Sequence, residues 1–189
     1  LLGFHAPSGR AVVYFGALGV GFIICEVSLM QRLILLLGHP IYTLVVLLFA
    51  LLVAGGIGSL FARRLAPDQI RRALGWIIPA IVVLIVLAAF GLPTLVRAAL
   101  PLSLSARIVV AAALVFPFGF LMGMPFPLGL RRSAQDDHGA AVSALWGING
   151  VASVVGSIGG VMLAVAAGFT WVFLAAAACY TIAWAARPR

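Results

Sequence analysis

Charge is what this sequence has least of. Of its 189 residues 8% are charged and only four are acidic, Glu26, Asp68, Asp136 and Asp137, whereas a water-soluble domain carries roughly 25% charged residues. A soluble globular fold is excluded, and with it a catalytic domain built on paired carboxylates. Lysine is absent, since all twelve basic residues are arginine. The two cysteines, Cys25 and Cys179, lie inside apolar runs without CxxC or Cys/His spacing. They indicate neither a disulfide framework nor a zinc site and read as small core residues.

What is present is apolar. Hydrophobic residues make up 65% of the chain and the mean hydropathy is +1.25. A crossing of the bilayer takes about 20 apolar residues, and the hydropathy pattern predicts an all-α integral membrane protein with six spans. These run from Ala11 to Leu37, Ile41 to Ala62, Leu74 to Phe90, Ile108 to Gly123, Ala140 to Ala166 and Phe169 to Ala186. Proline after Gly38-His39 closes the first span, and Gly91-Leu92-Pro93 is expected to close the third, because proline cannot continue a helix and disfavours helical geometry before it. Residues 93–107 then read as a loop with one short interfacial helix, and Ser133 to Gly139 as a further loop. Residues 1–10, LLGFHAPSGR, read as a linker from an upstream region, and residues 11–189 as the six-helix domain.

The net charge of +8 is a topology signal in so apolar a chain, not a nucleic-acid footprint. Arg10, Arg63, Arg64, Arg71, Arg72, Arg131, Arg132, Arg187 and Arg189 fall on one side of the six spans; Arg97 and Arg107 fall on the other, with Arg32 near that end of the first span. Basic residues beside short loops stay cytoplasmic, so both termini are expected in the cytoplasm. Trp76, Trp171 and Trp184 fall near span ends, where indole rings favour the headgroup region.

Glu26 is the only acid inside a span. It lies roughly 22 Å along the first helix, where an ionisable group must be paired, hydrated, protonated or buried against protein. Two readings stand: a proton- or substrate-responsive carboxylate, or a carboxyl group bonded between helices to fix packing. Gln31 and Arg32 follow near the outer interface, where Arg32 can snorkel as an anchor. The fifth span carries a stripe at Asn149, Ser153, Gly156 and Gly160, spaced as one helical face with a GxxxG pair. It suits close packing or a polar ligand pocket; Ser153, at roughly 20 Å, is expected nearer than Asn149 to the depth of Glu26, and if the first and fifth spans pack together these groups can satisfy one another. The stretch FPFGFLMGMPFPLGLRR, with Pro117, Pro125 and Pro127, is expected to break its helix, either as a kinked exit or as a site made by an interrupted helix. Asp136-Asp137-His138 reads as helix capping before a metal site. His39 beside Pro40 reads as a turn residue or a proton carrier.

EVSLMQRLILLLGHPIYTLVVLLFALLVAGGIGSL, MGMPFPLGL and WGINGVASVVGS resemble the membrane region of bacterial membrane-bound spermidine synthase-like proteins. Glu26, Gln31, His39, Trp146 and Asn149 lie in the matched segments. Where that family has Pro-Trp-Ala-Trp, this chain has Ser143-Ala144-Leu145-Trp146 and keeps the second Trp alone. The resemblance implies an upstream aminopropyltransferase-like domain of methyltransferase fold, using decarboxylated S-adenosylmethionine or S-adenosylmethionine. These residues contain no catalytic, cofactor-binding or metal motif of their own. The implied role is that of an anchor that passes a small cationic or amphiphilic metabolite to or from that domain, in the bacterial cytoplasmic membrane. Its expected partners are the lipid bilayer, the soluble domain, and further transmembrane helices or a second copy. A six-span unit also resembles half of a major-facilitator transporter: GSLFARR, residues 58–64, followed by Arg71-Arg72, looks like that family's loop motif, with Ala62 where an acid is expected. A transporter half, or a purely structural anchor, is the alternative.

The arginine distribution makes the orientation testable. In a Cys-free background, a cysteine at Ser103 should react with an impermeant thiol reagent added outside cells, and one at Gln69 should not. Labelling at position 69 reverses the topology.

Overall fold

The structure, a computed structural model, describes residues 7–136 and 142–188. Among them there is no strand; the chain is an all-α, multi-pass membrane protein with six helical stretches long and apolar enough to cross a membrane. In chain order the helices are α1 (Gly9–Leu37), α2 (Pro40–Arg63), α3 (Ile70–Ala99), α4 (Leu104–Met122), α5 (Pro125–Asp136), α6 (Val142–Ala167) and α7 (Phe169–Ala186).

The hinge between α1 and α2 shows how local chemistry sets these limits. Gly38 ends α1 at φ 76°, a left-handed conformation that costs a residue without Cβ little, and its N–H donates to the Ile34 carbonyl at 2.8 Å. His39 then caps α2: its Nδ1 accepts from the Ile41 N–H at 3.3 Å, and Pro40 occupies the first helical position, where a missing N–H costs nothing. At the other end of the chain, Gly168 at φ 86° separates α6 from α7.

Three sequence expectations are corrected. Helix α3 runs through Gly91-Leu92-Pro93 to Ala99, where a closing turn and a loop were expected. Its buried stripe of Ala88, Ala89, Leu92, Val96 and Ala99 continues at helical spacing past the proline, and packing of that stripe outweighs one lost backbone bond. Similarly, Pro117 sits inside α4, and the broken stretch shrinks to a turn at Gly123 and Met124. Pro125 and Pro127 fall in the first turn of α5, whose N–H groups have no intrahelical partner in any case. Helix α5 then carries on through Arg132 to Asp136 where a loop was expected from Ser133. Asp137 and His138 lie outside the described residues, so the capping expectation does as well.

Helix α1 is the hub, touching each of the other six helices and most extensively α6 and α7; α2 pairs with α4, and α3 with α7. The α2–α4 seam is built on glycine. A Cβ on Gly119 would stand 2.8 Å from Ala54 Cβ, and one on Gly123 would stand 2.7 Å from Gly55 Cα; one on Gly58 would run into the Phe120 carbonyl. Lipid chains are as apolar as leucine side chains, so such close approach, rather than exclusion from water, is what holds membrane helices together. Arg131 of α5 secures one end of this pair by donating to the Ala62 carbonyl at 2.9 Å and the Leu65 carbonyl at 3.0 Å.

All the arginines on the first side of the sequence topology that fall among the described residues lie at the end where α1 begins. Contacts across that end include Arg10 to the Ala185 carbonyl at 3.0 Å and Trp184 Nε1 to the Gly75 carbonyl at 3.2 Å. The opposite end is tied by Arg107 to the Leu36 carbonyl at 3.3 Å and Arg32 to Thr170 Oγ1 at 3.2 Å.

The seam predicts a selective response to bulk. Gly58→Val should destabilise the folded protein by about 1–3 kcal/mol through overpacking. Gly56→Val, with nothing within 4 Å of its Cβ position, should have a much smaller effect on unfolding in detergent. Equal losses contradict the seam.

Candidate functional site

A cavity of about 360 Å³ lies between α1, α6, α7 and the α4–α5 turn. Leu18 and Phe22 of α1, Trp146, Asn149 and Ser153 of α6, and Tyr180 of α7 form much of its wall, with Ser59, Met122 and Phe126 opposite. Its size falls in the range of small-molecule sites.

The register between α1 and α6 creates this space. The two helices run parallel, since Gly19 meets Asn149 and Ser153, Gly156 meets Val20 and Ile23, and Gly160 meets Ile24. A Cβ on Gly19 would stand 3.0 Å from Ser153 Oγ, so α6 can press its polar stripe directly onto the α1 backbone. Asn149 Nδ2 donates to the Phe15 carbonyl at 2.9 Å, and Ser153 Oγ donates to the Asn149 carbonyl at 2.9 Å. The stripe is therefore both a packing face and a cavity wall. Asn149 spends one amide hydrogen on α1 and retains Oδ1 as an acceptor.

Tyr180 supplies the opposite polarity. Gly21 on α1 lets the Tyr180 ring lie against the helix, where an added Cβ would be 3.1 Å from its edge. Tyr180 is 1% exposed and lines the cavity, and its hydroxyl has no hydrogen-bond partner among the described residues. The hydroxyl is thus free to donate to a ligand acceptor or a water in the cavity. Aromatic rings complete the wall: Phe126 meets Trp146 edge-on at 4.7 Å between centroids, Phe15 meets Phe126 at 5.3 Å, and Tyr14 meets Phe15 at 5.0 Å. Tyr14 fixes this ladder by donating to the Pro125 carbonyl at 2.8 Å, so it serves a carbonyl at the α4–α5 break.

Of the residues singled out from sequence, Asn149 and Ser153 line the cavity together, while Glu26 does not line it. Glu26 is half-buried, one turn beyond Phe22 on a neighbouring face of α1, and makes no hydrogen bond or ion pair among the described residues. Ser153 stands level with Gly19, seven residues before Glu26, which is about 10 Å along the axis. The expected match in depth is thus displaced, because counting from span starts ignored how far α6 is shifted along α1. Gln31 is exposed, roughly 140° around the helix from Glu26. His39 is exposed at the α1–α2 hinge and acts as a helix cap.

No family model matches the chain, and neither a curated protein nor a solved structure matches it.

Sequence reading missed Tyr180, Phe126 and Ser59 as wall residues. Tyr180 carries the only recoverable signal, as a polar ring in an otherwise alanine-rich span. It also missed the glycine seam, although Gly119 and Gly123 already stand at GxxxG spacing; the neighbouring prolines drew attention to helix breaking instead.

Proposed function

We propose that this bundle is the membrane domain of a spermidine synthase-like protein, which holds an aminopropyltransferase-like domain at the bacterial cytoplasmic membrane and receives a small cationic or amphiphilic metabolite in the Trp146–Asn149–Tyr180 cavity. The observation that carries the ligand reading is the Tyr180 hydroxyl, without a hydrogen-bond partner among the described residues, on the wall of a cavity that also presents Asn149. The aromatic rings of Phe22, Phe126 and Trp146 in the wall suit an organic cation, since aromatic quadrupoles attract ammonium groups without a counter-charge. Asn149 Oδ1 is the acceptor for an ammonium hydrogen, and the Tyr180 oxygen supplies a second lone pair or a donor. No formal charge lines the space, so the wall favours a ligand that binds and leaves over one that is held permanently.

The transfer chemistry itself belongs to a separate domain in this reading. It needs an acid to hold the ribose of the sulfonium donor and carboxylates to orient a polyamine. The four acids are scattered: Glu26 sits in a span, Asp68 in an arginine-rich turn, and Asp136 at the end of α5, with Asp137 next to it in sequence.

Calorimetry on the purified chain in lipid nanodiscs tests both halves. Spermidine should bind saturably, and Tyr180→Phe together with Asn149→Ala should weaken that binding about tenfold or more, as expected for two lost hydrogen bonds to or beside a charged group. Absence of saturable spermidine binding contradicts the ligand reading. S-adenosylmethionine and decarboxylated S-adenosylmethionine should not bind; saturable binding of either contradicts the division of labour.

A further inference from the structure

We propose that the cleft between α1, α3 and α7, at the end where α1 begins, binds the phosphate of an anionic phospholipid. Arg10, Arg71, Arg72 and Arg187 line one cavity of about 860 Å³ with Trp76 and Trp184. Its lining contains no acidic residue. Asp68, close by in sequence, forms no ion pair among the described residues. Four arginines thus line one bundle-end cavity without an acidic partner among the described residues, an arrangement whose self-repulsion an anion relieves.

Two of the four guanidinium groups are held in place by backbone. Arg10 donates to the Ala185 carbonyl at 3.0 Å, and Arg187 donates to the Trp184 carbonyl at 2.6 Å while lying 4.5 Å from the Trp184 ring centroid. Trp184 is itself fixed to α3 through the Gly75 carbonyl at 3.2 Å. Each guanidinium carries five N–H donors in a planar fork that matches phosphate oxygens, so donors remain after these bonds. Arg71 and Arg72 are exposed on the first turn of α3 and make no hydrogen bond among the described residues. They are the uncommitted half of the set.

The tryptophans decide for a lipid over a free anion. Trp76 is 74% exposed on a membrane-spanning helix, next to the cleft, and an indole in that position sits among glycerol backbones and upper acyl chains. Guanidinium groups on one side of it and a lipid-facing ring on the other reproduce the order of a phospholipid, headgroup then glycerol then chain. Basic pockets between transmembrane helices recognise anionic headgroups in this way. The site is separate from the Tyr180 cavity and does not depend on what that cavity binds.

The test compares two charge-matched double variants in nanodiscs and detergent. Native mass spectrometry should show dioleoyl phosphatidylglycerol retained by the wild-type protein in preference to dioleoyl phosphatidylcholine. Arg71→Gln with Arg72→Gln should weaken that retention about tenfold or more. Arg63→Gln with Arg64→Gln, the same charge loss at the same end but outside the cleft, should leave it within about twofold. Equal weakening in both doubles overturns the site in favour of diffuse attraction, and no weakening in the first double overturns it outright. Competition by inorganic phosphate at millimolar concentration overturns the lipid assignment in favour of a free-anion site. With all four arginines intact, in Trp146→Phe/Trp171→Phe protein, brominated phosphatidylglycerol should quench Trp76 and Trp184 more strongly than brominated phosphatidylcholine at equal mole fraction. Equal quenching by the two lipids overturns the proposal.

Discussion

Helices in lipid gain nothing by hiding leucine from water, so a bundle of this composition depends on where its backbones can touch. Here glycine determines those places. Gly19, Gly156 and Gly160 bring α1 and α6 together, while Gly55, Gly58, Gly119 and Gly123 bring α2 and α4 together. Leucine, valine and phenylalanine then fill the lipid-facing sides, as Phe49, Leu52 and Val165 do. The consequence for function is direct. Pressing α6 onto α1 at Gly19 puts Asn149 within reach of the Phe15 carbonyl, and the same approach leaves the cavity bounded by Trp146, Ser153 and Tyr180.

The polar groups of the bundle sort into two kinds. Most are committed: Tyr14 to Pro125, Arg131 to Ala62 and Leu65, Arg107 to Leu36, Thr43 to the His39 carbonyl. Each reaches a carbonyl at or near a helix end or break. A few are not committed, among them the Tyr180 hydroxyl in its cavity and the Arg71 and Arg72 guanidiniums in their cleft. These lie in spaces large enough for a guest. Glu26 is uncommitted as well, yet it stands outside both spaces.

Much of this architecture was legible in the sequence because hydropathy and arginine placement are properties of composition along the chain. The span from Ala11 to Leu37, the turn at Gly38-His39-Pro40 and the separation of α6 from α7 all follow from residues acting locally. The extension of α3 beyond Pro93 was not legible, because it depends on Leu92 and Val96 finding neighbours. The depth of Glu26 relative to Ser153 was missed for a related reason: an axial shift between two helices is set by which glycine meets which side chain, and no single helix contains that information. Asn149 and Ser153 could be read as one face from their spacing. Tyr180 could not be joined to them, since it arrives from another helix through a gap made by Gly21.

The parallel register of α1 and α6 is the feature on which the cavity stands, and one pair of positions reports it. A Cβ at Gly16 would lie 3.9 Å from Ile148 Cγ2, so the two positions face each other across the seam and cysteines there can be bridged by a short bifunctional thiol reagent. In a chain with Cys25 and Cys179 replaced by alanine, Gly16→Cys combined with Ile148→Cys should crosslink in native membranes with a short bis-methanethiosulfonate reagent, seen as a mobility shift reversed by reductant. Failure of that pair, with crosslinking instead between Gly16→Cys and Val155→Cys two turns further on, contradicts the register and the cavity with it.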